Sequence, residues 1–152
     1  MKTLIIIDLQ AAFRVPPELV VRIEKFSQDY ECRVFTRFVN PQGSLFRRKL
    51  GMRDCSAGTP DTNLLLKPRD EDLVLDKEGY GLRPEHIVRL TARGVTRADI
   101  CGIDTDACVL GVMFSLFDAG IDCRVLPGFC WSSSGLDEEA MRIMNSQFSS
   151  PA

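Results

Sequence analysis

The segment at residues 4–7 consists of Leu and three consecutive Ile residues, and Asp8 follows it directly. A strand with one face in water alternates apolar and polar residues, whereas this run does not alternate. It therefore predicts a strand that is covered on both faces, as in a parallel sheet with helices on either side. Further strands are predicted at residues 32–38, 73–75, 98–103 and 124–126.

Helical patterns separate these predicted strands. Pro16 and Pro17 are typical of a first helical turn, and Gly94 and Gly120 stand where glycine commonly ends a helix. The pattern predicts helices that start at residue 17 and span residues 84–93, 105–119 and 136–148. Residues 41–72 are interrupted by glycine and proline and predict a long irregular segment, which in a compact domain is often functional.

Strands that alternate with helices indicate β-α-β units with right-handed crossovers. We therefore expect an α/β fold of three layers, α/β/α, with a parallel, Rossmann-like sheet in the order 3-2-1-4-5. Five strands fit the length of the chain better than six. A single domain is expected over residues 1–148, with a flexible tail at 149–152.

The composition excludes several classes of partner. The 152 residues carry a net charge of −2 and no basic stripe, which argues against nucleic acid and anionic membranes. No run approaches the roughly 20 apolar residues of a membrane helix. The six cysteines form no Cys-x-x-Cys pair and His86 is the sole histidine, so a structural zinc site is not expected. Free thiols in the cytoplasm and a small-molecule substrate are the resulting expectations.

Three reactive side chains are predicted to share one edge of the sheet. In the order 3-2-1-4-5, strands one and four lie side by side, and ligands bind beyond their carboxyl ends. Asp8 follows strand one, Lys77 ends strand three, and Cys108 lies in the first helical turn after strand four. The helix dipole and Lys77 are expected to lower the pKa of the Cys108 thiol, while a carboxylate can act as base.

Asp, Lys and Cys side chains also serve other classes of protein. No cysteine has an arginine six positions later, which excludes the Cys-x5-Arg phosphatases. A phosphoaspartate enzyme commonly needs a second acid at position 10, which is Gln10. A redox sensor would need a resolving thiol, for which Cys101 or Cys130 is available. A non-enzymatic binding or regulatory protein of the same fold, with Cys108 as a small apolar core residue, stays open.

Four motifs stand in order along the chain: residues 6–10 (IIDLQ) with Phe13, 58–60 (GTP), 76–80 (DKEGY) and 102–109 (GIDTDACV). Together they resemble the isochorismatase-like cysteine hydrolases, which include nicotinamidases and N-carbamoylsarcosine amidase. The resemblance implies a catalytic triad of Asp8, Lys77 and Cys108. It also implies that the backbone N–H groups of Asp104 and Cys108 form an oxyanion hole, and that a cis peptide bond precedes Asp104.

The implied activity is hydrolysis of a C–N bond in a small amide, ureido or carbamoyl compound, through a thioester on Cys108. The alternative is hydrolysis of a vinyl ether, for which a cysteine nucleophile is not required. Nicotinamidases carry histidines that bind a metal beside the triad, whereas the loop after Phe38 contains none. We therefore expect no metal and no cofactor.

The sequence also suggests substrate-binding residues: Gln10, Phe13, Arg37, Tyr80 and Trp131. The aromatic members are expected to line an apolar pocket, and an arginine such as Arg37 to hold a substrate carboxylate. Residues 132–134, all serine, are expected to contact substrate or to form a polar loop. His86 is expected on the surface of its helix.

A homo-oligomer is expected, because relatives of this fold associate. Phe46, Leu50 and Met52 are apolar residues of the long irregular segment. They are expected to cover the site of a neighbouring copy.

Overall fold

The computed structural model describes residues 1–150. Its centre is a five-stranded sheet in the order β3-β2-β1-β4-β5, in which all neighbouring strands are parallel. The strands are β1 (Thr3–Ile7), β2 (Cys32–Phe38), β3 (Leu73–Lys77), β4 (Arg97–Ile103) and β5 (Asp122–Trp131). The predicted class, strand number and strand order are therefore confirmed.

The described residues also form five α-helices, of which the last follows the final strand: α1 (Pro17–Ser27), α2 (Leu45–Leu50), α3 (Pro84–Ala92), α4 (Leu110–Asp118) and α5 (Asp137–Phe148). A 3₁₀ turn spans Pro60–Thr62, and a π-helical segment spans Thr105–Val109 directly before α4. No described helix is long and apolar enough to cross a membrane.

The apolar core lies on both faces of the sheet, as the uninterrupted run at residues 4–7 predicts. Leu4 and Ile6 pack on the side of α1, whereas Ile5 and Ile7 pack on the side of α3, α4 and α5. All four side chains are buried completely. Successive residues of a strand point to opposite faces, so β1 anchors both outer layers and fixes the position of Asp8 at its end.

The structure differs from the sequence-based prediction in two places. The segment at residues 41–72 is less irregular than expected, because it contains α2 and the 3₁₀ turn. Strand β5 is longer than residues 124–126. Its register against β4 shifts between Ile100 and Gly102. Pro127 and Gly128 lie within the shifted part, and because both residue types are disfavoured in strands, the sequence pattern did not predict a strand there. Of the predicted tail, residues 151–152 lie outside the described residues.

Candidate active site

The carboxyl ends of the central strands form a small cavity of about 170 Å³. Asp8 and Cys108 both line this cavity. Lys77 is the last residue of β3, and its ammonium nitrogen Nζ lies 2.7 Å from Asp8 Oδ2. The structure thus brings together the three residues of the predicted triad, which are far apart in the sequence.

Asp8 is held in one orientation by its neighbours. Thr36 Oγ1 in β2 donates a hydrogen bond to Asp8 Oδ1 at 2.6 Å and accepts one from the Asp8 N–H at 3.1 Å. Oδ2 faces Lys77 Nζ, which also donates to the Gly79 carbonyl at 2.8 Å. Among the described residues no other donor reaches Oδ2. That oxygen is therefore the one available to accept a proton from a neighbouring thiol.

The protonation state of the Cys108 thiol differs from the prediction. Burial and then the negative charge of Asp8 raise the pKa of Cys108, and Lys77 only partly offsets them. The prediction of a lowered pKa is therefore wrong, because it considered the helix dipole and Lys77 but neither desolvation nor the carboxylate. Burial alone would lower the pKa of Lys77, yet Asp8 outweighs burial and the pKa is raised. A thiol of raised pKa therefore lies beside the Asp8–Lys77 ion pair.

The segment that carries Cys108 is brought close to β1 by a glycine. Gly102 has a φ of +121°, and a Cβ atom at this position would lie 2.2 Å from the carbonyl oxygen of Ile7. The peptide bond between Ile103 and Asp104 is cis, as the resemblance implies. Asp104 and Cys108 both line the cavity. Their positions are compatible with an oxyanion hole.

Hydrogen bonds tie this segment to the turn after β5. Asp104 accepts hydrogen bonds from the N–H and the hydroxyl of Ser133, at 3.1 and 2.8 Å. Ser132 Oγ donates to Asp106 Oδ1 at 2.7 Å. Asp137, the first residue of α5, accepts from Thr105 Oγ1 at 2.5 Å and from the Ser132 N–H at 3.1 Å. These serines therefore fix the cysteine segment in place.

Tyr80 reaches the cavity through a close approach between its loop and α4. A Cβ atom at Gly81 would lie 2.5 Å from Ser115 Oγ, and one at Gly111 would lie 3.0 Å from Tyr80. The Leu82 N–H donates to Ser115 Oγ at 2.9 Å. Only glycine permits this contact, which seats the tyrosine ring near Cys108.

The remaining cavity walls are apolar. Phe46 of α2 packs against Phe38 and Tyr80, with both ring-centre distances at 4.9 Å. Phe13 completes the aromatic wall, and Leu50 at the end of α2 and Met52 just after it lie at the same cavity. The full apolar set is Phe13, Phe38, Phe46, Leu50, Met52, Tyr80, Ile103 and Ala107. The residues expected to cover a neighbouring copy thus line this chain's own site.

Three predicted substrate contacts lie elsewhere. Gln10 is fully buried, and its amide is engaged by the Phe38 N–H at 2.8 Å and by the Phe38 and Thr62 carbonyls at 2.9 and 3.2 Å. The Gln10 side chain thus joins the end of β2 to the segment at Thr62. Arg37 forms an exposed ion pair with Asp76 at 2.6 Å, and Trp131 packs against the core on the α1 side.

His86 is buried, contrary to the prediction. Its Nδ1 accepts a hydrogen bond from the Arg83 N–H at 3.0 Å, and its Nε2 lies 2.8 Å from the Asp76 carbonyl. The imidazole thus caps the start of α3 and supports the end of β3. Sequence reasoning also missed Thr36 and Asp137, because their roles depend on contacts between distant segments.

Comparisons with known proteins agree with the fold of the chain. The family model "Isochorismatase domain" matches residues 2–151. The fold is similar to a pyrazinamidase of Pyrococcus horikoshii solved in complex with zinc (22% identity, TM-score 0.87, 97% of this chain and 96% of that one). It is also similar to an N-carbamoylsarcosine amidase from Thermoplasma acidophilum (19% identity, TM-score 0.84, 97% and 93%). No curated protein sequence matches significantly.

The zinc of that pyrazinamidase raises the question of a metal at this site. A catalytic metal needs several His, Cys, Asp or Glu side chains that converge. Residues 1–150 contain no group of three such side chains in a metal-binding arrangement. The two ring nitrogens of the sole histidine, His86, face Arg83 N–H and the Asp76 carbonyl. The donor set of the described residues therefore does not fit a metal.

Proposed function

Because the chain belongs to the isochorismatase family of hydrolases, we propose that it cleaves the C–N bond of a small amide, ureido or carbamoyl substrate through a thioester on Cys108. One observation carries this proposal. The thiol of Cys108 lies beside a completely buried Asp8–Lys77 ion pair at a small cavity. A thiol, a base and a fixed cation at one point are the parts that covalent acyl transfer requires.

The first step is attack on the carbonyl carbon. Cys108 is a neutral thiol, so its proton passes to Asp8 Oδ2 as the sulfur–carbon bond forms. The substrate carbonyl oxygen becomes an oxyanion, and the N–H groups of Asp104 and Cys108 are proposed to stabilise it. One such donor contributes about 10²–10³ to the rate in other acyl-transfer enzymes. Lys77, whose pKa is raised, remains charged and faces Asp8 Oδ2 at 2.7 Å until the proton arrives.

Collapse of this intermediate breaks the C–N bond. Asp8 returns the proton to the leaving nitrogen, ammonia or an amine departs, and a thioester on Cys108 remains. Water then attacks the thioester, Asp8 accepts a proton from that water, and the proton returns to sulfur as the acid is released. Asp8 thus acts twice as base and twice as acid in one turnover.

The cavity indicates what the substrate looks like. A volume of about 170 Å³ is close to that of an engineered cavity of about 150 Å³ which binds benzene. The walls are aromatic and aliphatic, and no arginine lines them. We therefore propose an uncharged compound of about the size of a six-membered ring, in place of the carboxylate-bearing compound that the sequence suggested.

A panel of small amides, ureides and vinyl ethers, scored for ammonia or product release, tests this proposal. Wild type, Cys108→Ala, Asp8→Asn and Lys77→Ala are compared, with Cys32→Ala as a matched control outside the cavity. Each triad variant should lose several orders of magnitude, up to about 10⁶ as seen for a complete triad, and the losses should not add. Cys32→Ala should retain full activity.

Mass spectrometry of the quenched protein supplies a second readout. Wild type should accumulate an acyl adduct on Cys108, and Asp8→Asn should not. Near-full turnover by Cys108→Ala would refute covalent catalysis and favour vinyl-ether hydrolysis. Binding of panel compounds without any turnover would favour a binding protein.

A further inference from the structure

Strand β5 forms an open edge of the sheet, and a groove of about 530 Å³ runs beside it. Side chains from both faces of the sheet line this groove, including Asp122 and Arg124 on one face and Cys123 and Val125 on the other. Among residues 1–150 no strand pairs with this edge. An unpaired strand edge is a template for another strand unless it is covered or blocked.

The apolar surface beside the groove is characteristic of a protein partner. Phe148 of α5 lines the groove, and its ring packs against Phe114 and Phe117 of α4 at 5.0 and 5.4 Å. Phe114 and Phe117 are 40% and 55% exposed. Single exposed apolar residues are common on protein surfaces, whereas a contiguous aromatic cluster such as this one is typical of an interaction surface.

The backbone of β5 determines how a strand can add to it. The Asp122 N–H donates to the Thr96 carbonyl, towards β4, at 3.1 Å. Successive residues of a strand direct their backbone groups to alternate sides, so Cys123 and Val125 direct theirs away from β4 and into the groove. An added antiparallel strand must therefore pair with β5 through these residues.

The charges on this part of the sheet are self-complementary. In the register of β4 and β5, Arg97 lies beside Asp122 and Asp99 lies beside Arg124, and both pairs form ion pairs at 2.7 and 2.9 Å. If a second copy pairs antiparallel with Cys123 at the two-fold axis, Asp122 lies opposite Arg124 of that copy. Arg97 and Asp122 of one copy then continue into Arg124 and Asp99 of the other copy. The two-fold axis repeats this row of alternating charges, so two such rows cross the interface. With the axis at Arg124 instead, two arginines would face each other.

We propose that this chain forms a two-fold symmetric dimer in which the β5 strands of two copies pair antiparallel about Cys123 and make one continuous ten-stranded sheet. Such an interface is isologous, because the same surface is used by both copies. The paired segment lies at the start of β5, whereas Cys108 lies beyond the carboxyl ends of the strands. The proposal is independent of the proposed function, and the dimer leaves both cavities open.

Complementary charge variants test the proposal. Sedimentation of the full chain at about 1–100 µM should show a dimer whose dissociation constant rises with salt. Asp122→Arg alone and Arg124→Asp alone should each weaken association at least about tenfold, because like charges then face each other. An equimolar mixture should recover wild-type association, since the introduced arginine faces the introduced aspartate. Circular dichroism verifies that each variant is folded.

A disulfide can verify the register. Cross-strand residues 122 and 124 form a pair about 4.5 Å apart at Cα, so a mixture of Asp122→Cys and Arg124→Cys should cross-link under mild oxidation. A mixture of Asp118→Cys and Arg124→Cys should not. Turnover per protomer should be unchanged in the charge variants. A monomeric wild type over the whole concentration range, or a mixture that fails to recover, overturns the proposal.

Discussion

Asp8 and Lys77 form an ion pair that solvent does not reach, with Oδ2 and Nζ 2.7 Å apart and both side chains 0% exposed. Burial of two charges costs several kcal/mol each, and their attraction offsets this cost only when the remaining donors and acceptors are satisfied. Thr36 and the Gly79 carbonyl supply those contacts. The pair therefore contributes little net folding free energy, and its role is the proton transfer proposed for Cys108.

Removal of one partner should destabilise the fold far more than removal of both. Lys77→Met leaves a buried, unpaired carboxylate and should cost about 3–5 kcal/mol of unfolding free energy. The double variant Asp8→Asn/Lys77→Met should recover much of that loss. Urea denaturation measures both, with Arg37→Met, which breaks an exposed pair, as a control expected to cost less than about 1 kcal/mol. A double variant less stable than either single one would contradict this account.

The rate should not follow ordinary thiol ionisation. Because the pKa values of Cys108 and Lys77 are both raised, neither group should lose its proton between pH 7 and about 9. The profile of kcat/KM should therefore be flat across this range. A free thiol would ionise near pH 8.5, and alkylation of the partly exposed Cys32 supplies that comparison in the same protein. A rise of kcat/KM through pH 8.5 would show that a thiolate attacks without proton transfer to Asp8.

Folding stability should fall at alkaline pH. Burial raises the pKa of Cys101 and Cys130 as well as that of Cys108, Cys130 to about 12. Above the ordinary thiol pKa of about 8.5, the unfolded chain binds fewer protons than the folded one, so stability decreases as pH rises. Each such thiol contributes about 1.4 kcal/mol per pH unit. Urea midpoints at pH 7.5 and 9.5 test this, and Cys130→Ser should show a shallower decline than wild type.

Activity should not depend on a metal ion. Exhaustive treatment with a chelator should leave turnover unchanged, because the described residues do not provide a set of ligands for a metal. A zinc-dependent hydrolase treated in parallel verifies that the chelator works. Strong loss of activity that one metal restores would refute this prediction.

Phe46 should control the size of the substrate. Its ring contacts Phe38 and Tyr80 across the cavity, so Phe46→Ala should raise KM for a small ring amide about tenfold or more with a smaller change in kcat. Bulkier amides should become better substrates. Leu45→Ala is a matched control, since Leu45 is in the same helix, is exposed and does not line the cavity. An equal change in KM for Phe46→Ala and Leu45→Ala would mean that α2 affects the reaction only by stabilising the fold.

The fold followed from local patterns in the sequence. The unalternating run at residues 4–7 required a sheet covered on both faces, and Pro17, Pro84 and Gly120 mark helix boundaries. Right-handed crossovers permit only a few topologies for these elements, and the observed strand order is one of them. Asp8, Lys77 and Cys108 could be placed together because Asp8 follows β1, Lys77 ends β3 and Cys108 lies in the helical turn after β4.

The tertiary structure decided the properties that depend on surroundings. Whether the pKa of Cys108 rises or falls depends on its burial and on the distance to Asp8, which no local pattern encodes. Gln10 and Arg37 have chemistry suited to a site, yet their partners come from segments distant in sequence and direct them elsewhere. The sequence determined which elements form and where each ends. Only packing determined which side chains lose water and which charges they then face.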